Sequence, residues 1–297
     1  MDTSEKYSKF GPLRRDVCLS EYTTLRVGGM ASMFFEPQKP EHLAELLTQL
    51  EIDGIAWRMI GAGANSVPCD SGFDGAVIHT GSMRRIFQDG NGFRIWSGAT
   101  LPSLIRAAYE LKLSGFEKLI GVPGQLGGAL AMNAGSSDWG IWDLVENVTL
   151  WVPGVGDHLK IEEHTRESIS PKYRDGNLKG AVVLEALLNL EKSSKPAIKH
   201  AQEQLLRAKN ASQPVTVPSA GCAFKNPPGD SAGRLLDSCG LKGLRVGSAE
   251  VSPKHANFII NTGGATAADI VELLEKMHAK VLAETKVDLV RELVVWN

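Results

Sequence analysis

The chain has 297 residues, 43% of them hydrophobic and 22% charged, with a net charge of −2 at pH 7. That length fits one large or two to three ordinary domains, and the composition is ordinary for a folded globular protein. There is no basic excess of the kind a nucleic-acid footprint needs, and no run approaches the roughly 18 apolar residues of a membrane span.

The N-terminal MDTSEKYSKFGPLRRD lacks the apolar core of a signal peptide. Cys18, Cys69, Cys222 and Cys239 lie far apart without a CxxC pair. The expectation is a reducing, cytoplasmic compartment with no metal site and no disulfide framework. Along the chain, residues 24–36 read as a strand, a glycine turn and a second strand, and residues 40–50 as an amphipathic helix with proline in its first turn. IAWRMIGAGANS is a short apolar strand running into a small-residue loop. GAVIHT and FRIWSGAT are further strands, and 101–113 is a helix. After the glycine-dense 121–135, strands are expected at 145–151 and 180–190. Ser, Lys and Pro in 189–200 suggest a linker. Beyond it come helices at 198–209 and 231–239, a strand at 256–261, a long helix at 266–285 and a closing strand at 289–296. This non-alternating mixture is an α+β pattern in at least two parts.

Five stretches carry candidate chemistry. GAGANS, residues 61–66, follows an apolar strand, and consecutive N–H groups there can form an anion nest. It is not GxGxxG opening a helix, because Pro68 follows, so a Rossmann-type site is disfavoured. Alone, such a hexapeptide is more often a tight loop. GVPGQLGGALAMNAG, residues 121–135, suits either a backbone held against a flat ligand or a packed turn and small-residue helix. A long ligand with a diphosphate and a ring system would use both stretches. In KYRDGNLKG, Arg174 beside Tyr173 can hold a carboxylate by two parallel hydrogen bonds, although a solvated arginine is commoner. In PSAGCAFKNPPGDSAG, Cys222 stands among small residues next to Lys225. It is either a proton donor or a buried small apolar side chain, the commoner fate. In VRELVVW, Glu292 falls opposite Leu293, and the pattern favours a solvent-facing acid. His158, His255 and His278 have no metal spacing.

Taken together, TTLRVGG, GAGANS, GVPGQLGGALAMNAG, KYRD, PSAGCAFKNPPGDSAGRLL, GLKGLRVGSAEVSPKHANFIINTG and RELVVW resemble the UDP-N-acetylenolpyruvoylglucosamine reductase family in order and spacing, over about residues 22–296. The resemblance implies an α+β fold: a two-lobe FAD-binding module of the vanillyl-alcohol-oxidase type, at 1–80 and 81–194, and an α+β substrate-binding domain at 195–297 whose last strand returns to the FAD side. It implies FAD and NADPH as cofactors and a UDP-sugar enolpyruvyl ether as substrate. The expected role is peptidoglycan precursor synthesis, by a cytoplasmic monomer with no nucleic-acid or membrane partner. The short stretch after Arg174 is similar to the family's second type, which lacks a substrate-capping loop.

Residue by residue, the resemblance places Gly61, Ala62, Gly63, Ala64, Asn65 and Ser66 on the FAD diphosphate. It gives the rest of the cofactor to Gly121, Val122, Pro123, Gly124, Gly127, Gly128, Ala129, Asn133, Ala134 and Ile141. Tyr173, Lys225, Asn226, Gly233, Arg234, His255 and Asn257 fall on the substrate side. Reduced flavin passes hydride from N5 to the vinyl C3. Arg174 and Glu292 steady the charge that builds at C2 and its carboxylate, and Cys222 protonates C2 where the family commonly has serine. Gly176 and Leu178 replace the usual serine and phenylalanine, Pro68 replaces an aliphatic residue, and two tryptophans occupy 136–143. Two alternatives stand beside this reading: another FAD oxidoreductase of the same fold, and a flavin- or sugar-nucleotide-binding protein without turnover.

Overall fold

Pro40 takes the first position of the helix Pro40–Ile52 (α1), where its missing N–H costs nothing. Leu43, Ala44, Leu46, Leu47 and Leu50 recur on one face of that helix, and all are buried. The computed structural model describes residues 6–154 and 160–296, so His158 lies outside the described residues. The remaining helices are α2 (Leu101–Glu110), α3 (Leu126–Ala131), α4 (Arg166–Ile169), α5 (Lys195–Ser212), α6 (Ala232–Ser238) and α7 (Ala267–Thr285). Thr266 and Asp269 cap α7 reciprocally: each side chain accepts the other's backbone N–H at 3.0 Å.

The strands of the first half are β1 (Leu13–Cys18), β2 (Met30–Phe35), β3 (Trp57–Ile60), β4 (Ser66–Val67), β5 (Phe73–His79), β6 (Ile86–Asp89), β7 (Gly92–Trp96) and β8 (Leu113–Ser114). Those that follow are β9 (Val145–Trp151), β10 (Ile161–Thr165), β11 (Val182–Asn189), β12 (Glu191–Lys192), β13 (Ser219–Cys222), β14 (Arg245–Val246), β15 (Ala249–Val251), β16 (Phe258–Asn261) and β17 (Val294–Val295). They form sheets in the orders β1-β2-β5-β3, β10-β9-β11-β7-β6 and β13-β16-β15-β14, with the pairs β12-β8 and β17-β4. The β3–β5 and β17–β4 pairs are parallel, and the second and third sheets are antiparallel. This is the α+β arrangement the sequence implies.

Two expectations need correction. Residues 24–29 are not a strand: Arg26 has φ +57°, and the Thr23 hydroxyl both donates to the Val27 carbonyl and accepts from the Val27 N–H. The closing strand shrinks to β17: among the described residues of 289–296 only Val294 and Val295 pair in a ladder, and Arg291 forms an isolated bridge with Phe224.

The chain divides into two compact units, each drawn from three segments. The first takes residues up to Arg15, Met33–Gly61 and Gly75–Arg207; the second takes Asp16–Ser32, Ala62–Asp74 and Ala208–Asn297. The first has two cores. One sets α1 beside Tyr7, Phe35, Ile78 and Trp151; the other sets α2 and α3 beside Phe93, Trp142 and Leu188. The second unit's core joins α6 and α7 to Leu25, Val27, Val67 and Phe224. Among the described residues no helix is long and apolar enough to cross a membrane.

Candidate functional site

In the first unit, the glycine-dense stretch folds as a turn leading into α3, which is six residues long. No neighbour lies within 4 Å of where a Cβ on Gly128 would sit, and the nearest to one on Gly124 is Leu101 Cδ1 at 3.8 Å. Bare main chain therefore faces open space at Gly128, while Gly124 is in van der Waals contact with Leu101. Beside it, the Ser97 hydroxyl is buried with no hydrogen-bond partner among the described residues, and Ser97 carbonyl oxygen accepts from Gly127 N–H at 2.8 Å. An open glycine surface next to an unsatisfied hydroxyl fits a large planar cofactor such as FAD lying against the backbone. Gly63 has a different reason to be glycine. Its φ is +59°, and a Cβ there would run into the Tyr22 carbonyl oxygen, so packing within the chain explains it. Pro68 is buried and packs against Gly28.

Ile141 requires a correction. It has no exposed surface and sits in the core with Trp142, whose indole N–H donates to the Leu130 carbonyl at 2.8 Å. A ligand has no part of Ile141 to touch, and Trp142, one of the two unusual tryptophans, is a core residue.

Arg174 stands at the tip of a tight turn. Lys172 and Asp175 exchange both main-chain bonds, at 2.8 and 3.1 Å, with Tyr173 and Arg174 between them. Arg174 takes φ +53°, lies 5.2 Å over the Tyr173 ring and donates to the Gly135 carbonyl at 2.8 Å. Asn133 donates to the Lys172 carbonyl at 2.9 Å, tying the turn to the glycine-dense stretch. Gly176 N–H donates to the Ala131 carbonyl at 2.8 Å, and a Cβ on Gly176 would run into the Leu130 carbonyl oxygen. Glycine in place of serine thus lets the turn sit directly on the end of α3. Leu178 packs against the same core.

In the second unit, Cys222 ends β13 opposite Phe258, just after an irregularity at which Gly221 takes φ +75°. Cys222 is part-exposed and forms no disulfide. The two residues after it are gripped from both sides. Ala223 N–H donates to the Asn257 carbonyl at 2.8 Å, and the Asn257 side chain accepts the Phe224 N–H at 2.9 Å and donates to the Phe224 carbonyl at 2.8 Å. On the other side, Glu292 N–H donates to the Ala223 carbonyl and Lys225 N–H to the Val290 carbonyl, both at 2.8 Å. The Glu292 carbonyl accepts from Asn65 Nδ2 at 2.9 Å, and Val294 N–H donates to the Asn65 carbonyl at 2.9 Å. Three candidates far apart in sequence are therefore brought together: Asn65 bonds to Glu292 through its side chain and to Val294 through its carbonyl, and Glu292 bonds to Ala223, the residue after Cys222. The part-exposed Glu292 is held there and is not on a fully solvated face.

The other candidates divide. Asn257 is 2% exposed and bonds the Phe224 main chain through both its amide oxygen and its amide nitrogen, so it positions the Cys222 segment. Asn226 accepts the Ala232 N–H at 3.0 Å. A Cβ on Gly233 would sit 2.9 Å from the half-buried His255 ring. Burial, reinforced by the positive charge of Lys242, holds His255 below the usual histidine range. Its Nδ1 accepts from Asn257 N–H at 3.2 Å, which leaves the proton of the neutral ring on Nε2. Arg234 is paired with Asp230, whose carboxyl it holds at about 2. Lys225 has no ion pair among the described residues. Nor does any group of three or more His, Cys, Asp and Glu there suit a metal.

Sequence comparison supplies the family context. A model described as FAD binding domain matches residues 31–161, and one described as UDP-N-acetylenolpyruvoylglucosamine reductase, C-terminal domain, matches residues 213–296. A UDP-N-acetylenolpyruvoylglucosamine reductase of Pelobacter propionicus is 40% identical over 284 residues, 95% of either chain. The reductase of Heliobacterium modesticaldum is 38% identical over 283 residues, 93% of this chain and 88% of that protein. The crystal structure of the Thermus caldophilus reductase superposes with a TM-score of 0.82 at 37% identity, covering 96% of this chain and 99% of that one. A glucose dehydrogenase, Phl p 4.0202, shares only fold, with a TM-score of 0.50 at 16% identity, covering 66% of this chain and 45% of its own.

Proposed function

Because the chain belongs to the UDP-N-acetylenolpyruvoylglucosamine reductase family, we propose that it reduces the enolpyruvyl ether of UDP-N-acetylglucosamine to UDP-N-acetylmuramate with NADPH, as a cytoplasmic monomer serving peptidoglycan precursor synthesis. The observation that carries this reading is the hydrogen-bonded linkage of Asn65, Cys222 and Glu292 within the second unit. A binding protein without turnover has no need to hold a thiol and a carboxylate on one rigid frame.

The open backbone at Gly128, with Gly124 and the loop 61–66, would hold FAD. FAD, when bound, supplies the hydride. Residues from 195 onward, among them Lys225, Arg234 and the Nε2–H of His255, would serve the substrate side. Hydride added at the vinyl C3 leaves an electron pair at C2, delocalised onto the adjacent carboxylate. Arg174, fixed on its turn by Gly135, would bind that carboxylate and lower the cost of the charge. Glu292, carrying a proton or acting through a bridging water, would hydrogen-bond to the same carboxylate. The Cys222 Sγ–H would give its proton to C2, completing the C–H bond and leaving a thiolate for solvent to reprotonate. An ordinary thiol titrates near 8.5, so the donor form dominates at neutral pH.

Anaerobic stopped-flow spectroscopy on the holoenzyme separates the two half-reactions. Cys222→Ala is expected to keep flavin reduction by NADPH while slowing reoxidation by the enolpyruvyl substrate by about a thousandfold, within the 10²–10⁴ typical of one positioned acid. Cys222→Ser is expected to retain useful activity. Equal reoxidation in wild type and Cys222→Ala removes the thiol from the mechanism, and a colourless protein that takes up no FAD sinks the whole reading.

A further inference from the structure

Asn133 is where α3 is brought to a stop. Its N–H donates to the Leu130 carbonyl at 3.1 Å, and the next N–H, of Ala134, donates to the Ala129 carbonyl at 2.8 Å. These are the paired bonds of a helix end closed by a left-handed residue, and Asn133 takes that conformation with φ +42°. Glycine is the residue such a stop favours, so ending α3 does not account for an asparagine. The side chain does. Its Nδ2 donates to the Lys172 carbonyl at 2.9 Å, and its Oδ1 accepts the Trp142 N–H at 3.4 Å. Gly140 lies against the same amide, and a Cβ there would run into Oδ1. The Lys172 carbonyl also accepts the Asp175 N–H at 3.1 Å, so the amide grips the Arg174 turn at its base. Two residues further on, the Gly135 carbonyl accepts from the Arg174 guanidinium at 2.8 Å. One short stretch therefore holds this arginine by its main chain and by its side chain.

We infer that Asn133 is a positioning residue for Arg174 and not a ligand of the cofactor, its amide fixing the turn that carries the guanidinium to the substrate carboxylate. The inference rests on the reading that the chain reduces an enolpyruvyl substrate.

The test compares two variants of the FAD-loaded enzyme, by FAD titration and by anaerobic stopped-flow spectroscopy of both half-reactions. Asn133→Gly keeps the helix stop and removes the amide. Asn133→Asp keeps the size and the tolerance for positive φ, but sets a carboxylate oxygen against the Lys172 carbonyl. Both are expected to bind FAD and to be reduced by NADPH as wild type is, while reoxidation by the enolpyruvyl substrate slows about tenfold, the effect of one hydrogen bond lost to the transition state. A helix stop alone would leave Asn133→Gly at the wild-type rate. In an Arg174→Ala background the same substitutions are expected to cost nothing further, because the residue they act through is gone. Wild-type reoxidation in both variants overturns the inference. So do losses that add in full to that of Arg174→Ala, and so does weakened FAD binding with normal reoxidation of the flavin that is bound, which would make Asn133 a cofactor ligand. If wild type holds FAD and the enolpyruvyl substrate does not reoxidise it, the function proposed above fails and takes the inference with it.

Discussion

Asn257 does for Phe224 what a neighbouring strand would do, supplying an acceptor for its N–H and a donor for its carbonyl. Asn257→Leu would leave both buried groups without partners, at a cost of about 2–4 kcal/mol. Urea unfolding of the two proteins measures it, and a change under about 0.5 kcal/mol would show that Phe224 finds other partners. Sequence shows an asparagine two residues after a histidine but not this clamp, because residues 224 and 257 meet only in the fold. The proposed roles of Cys222, Arg174 and Glu292 rest on their order along the chain, since each alone favours an ordinary surface or core reading. Gly176 is similar: a departure from the family pattern in sequence, it becomes a requirement once the turn rests on the Leu130 and Ala131 carbonyls.

Among elements, α1 and α7 are plain in the sequence because their apolar period runs for several turns and their starts carry a proline and a capping box. Strands β14, β15 and β17, of two or three residues, are too short to show any period. The partners of β17 are further out of reach, since parallel pairing with β4 joins opposite ends of the chain. The start of α7 has a second device that local sequence does not show. Asp70 accepts the backbone N–H groups of Ala267 and Ala268, at 2.8 and 2.9 Å, so a distant carboxylate sits on the positive end of the helix. Asp70→Ala is expected to cost about 1 kcal/mol, as loss of a capping group does. Thermal melting of the two proteins checks this, and equal midpoints would show that the Ala267 and Ala268 N–H groups find other acceptors.

For the whole molecule, each unit is assembled from three stretches of chain. The core beneath α6 and α7 includes Leu25, Val27 and Val67, none of which lies in the C-terminal 90 residues of the second unit. A fragment of residues 208–297 is therefore expected to lack a cooperative urea transition even though it contains both helices. A sharp transition with the slope of a folded domain of that size would show that residues 16–32 and 62–74 are dispensable. The bond from Asn65 to Glu292 spans 227 residues. On a ribosome adding 5–20 residues per second, roughly ten to forty-five seconds separate the synthesis of its two ends. Throughout that interval the edge of β4 has no partner and Val67, fully enclosed in the finished protein, is without its cover. Chaperones and proteases thus meet this unit as an open nascent chain, and Asn65 gains its bond to Glu292 only once synthesis has passed Trp296.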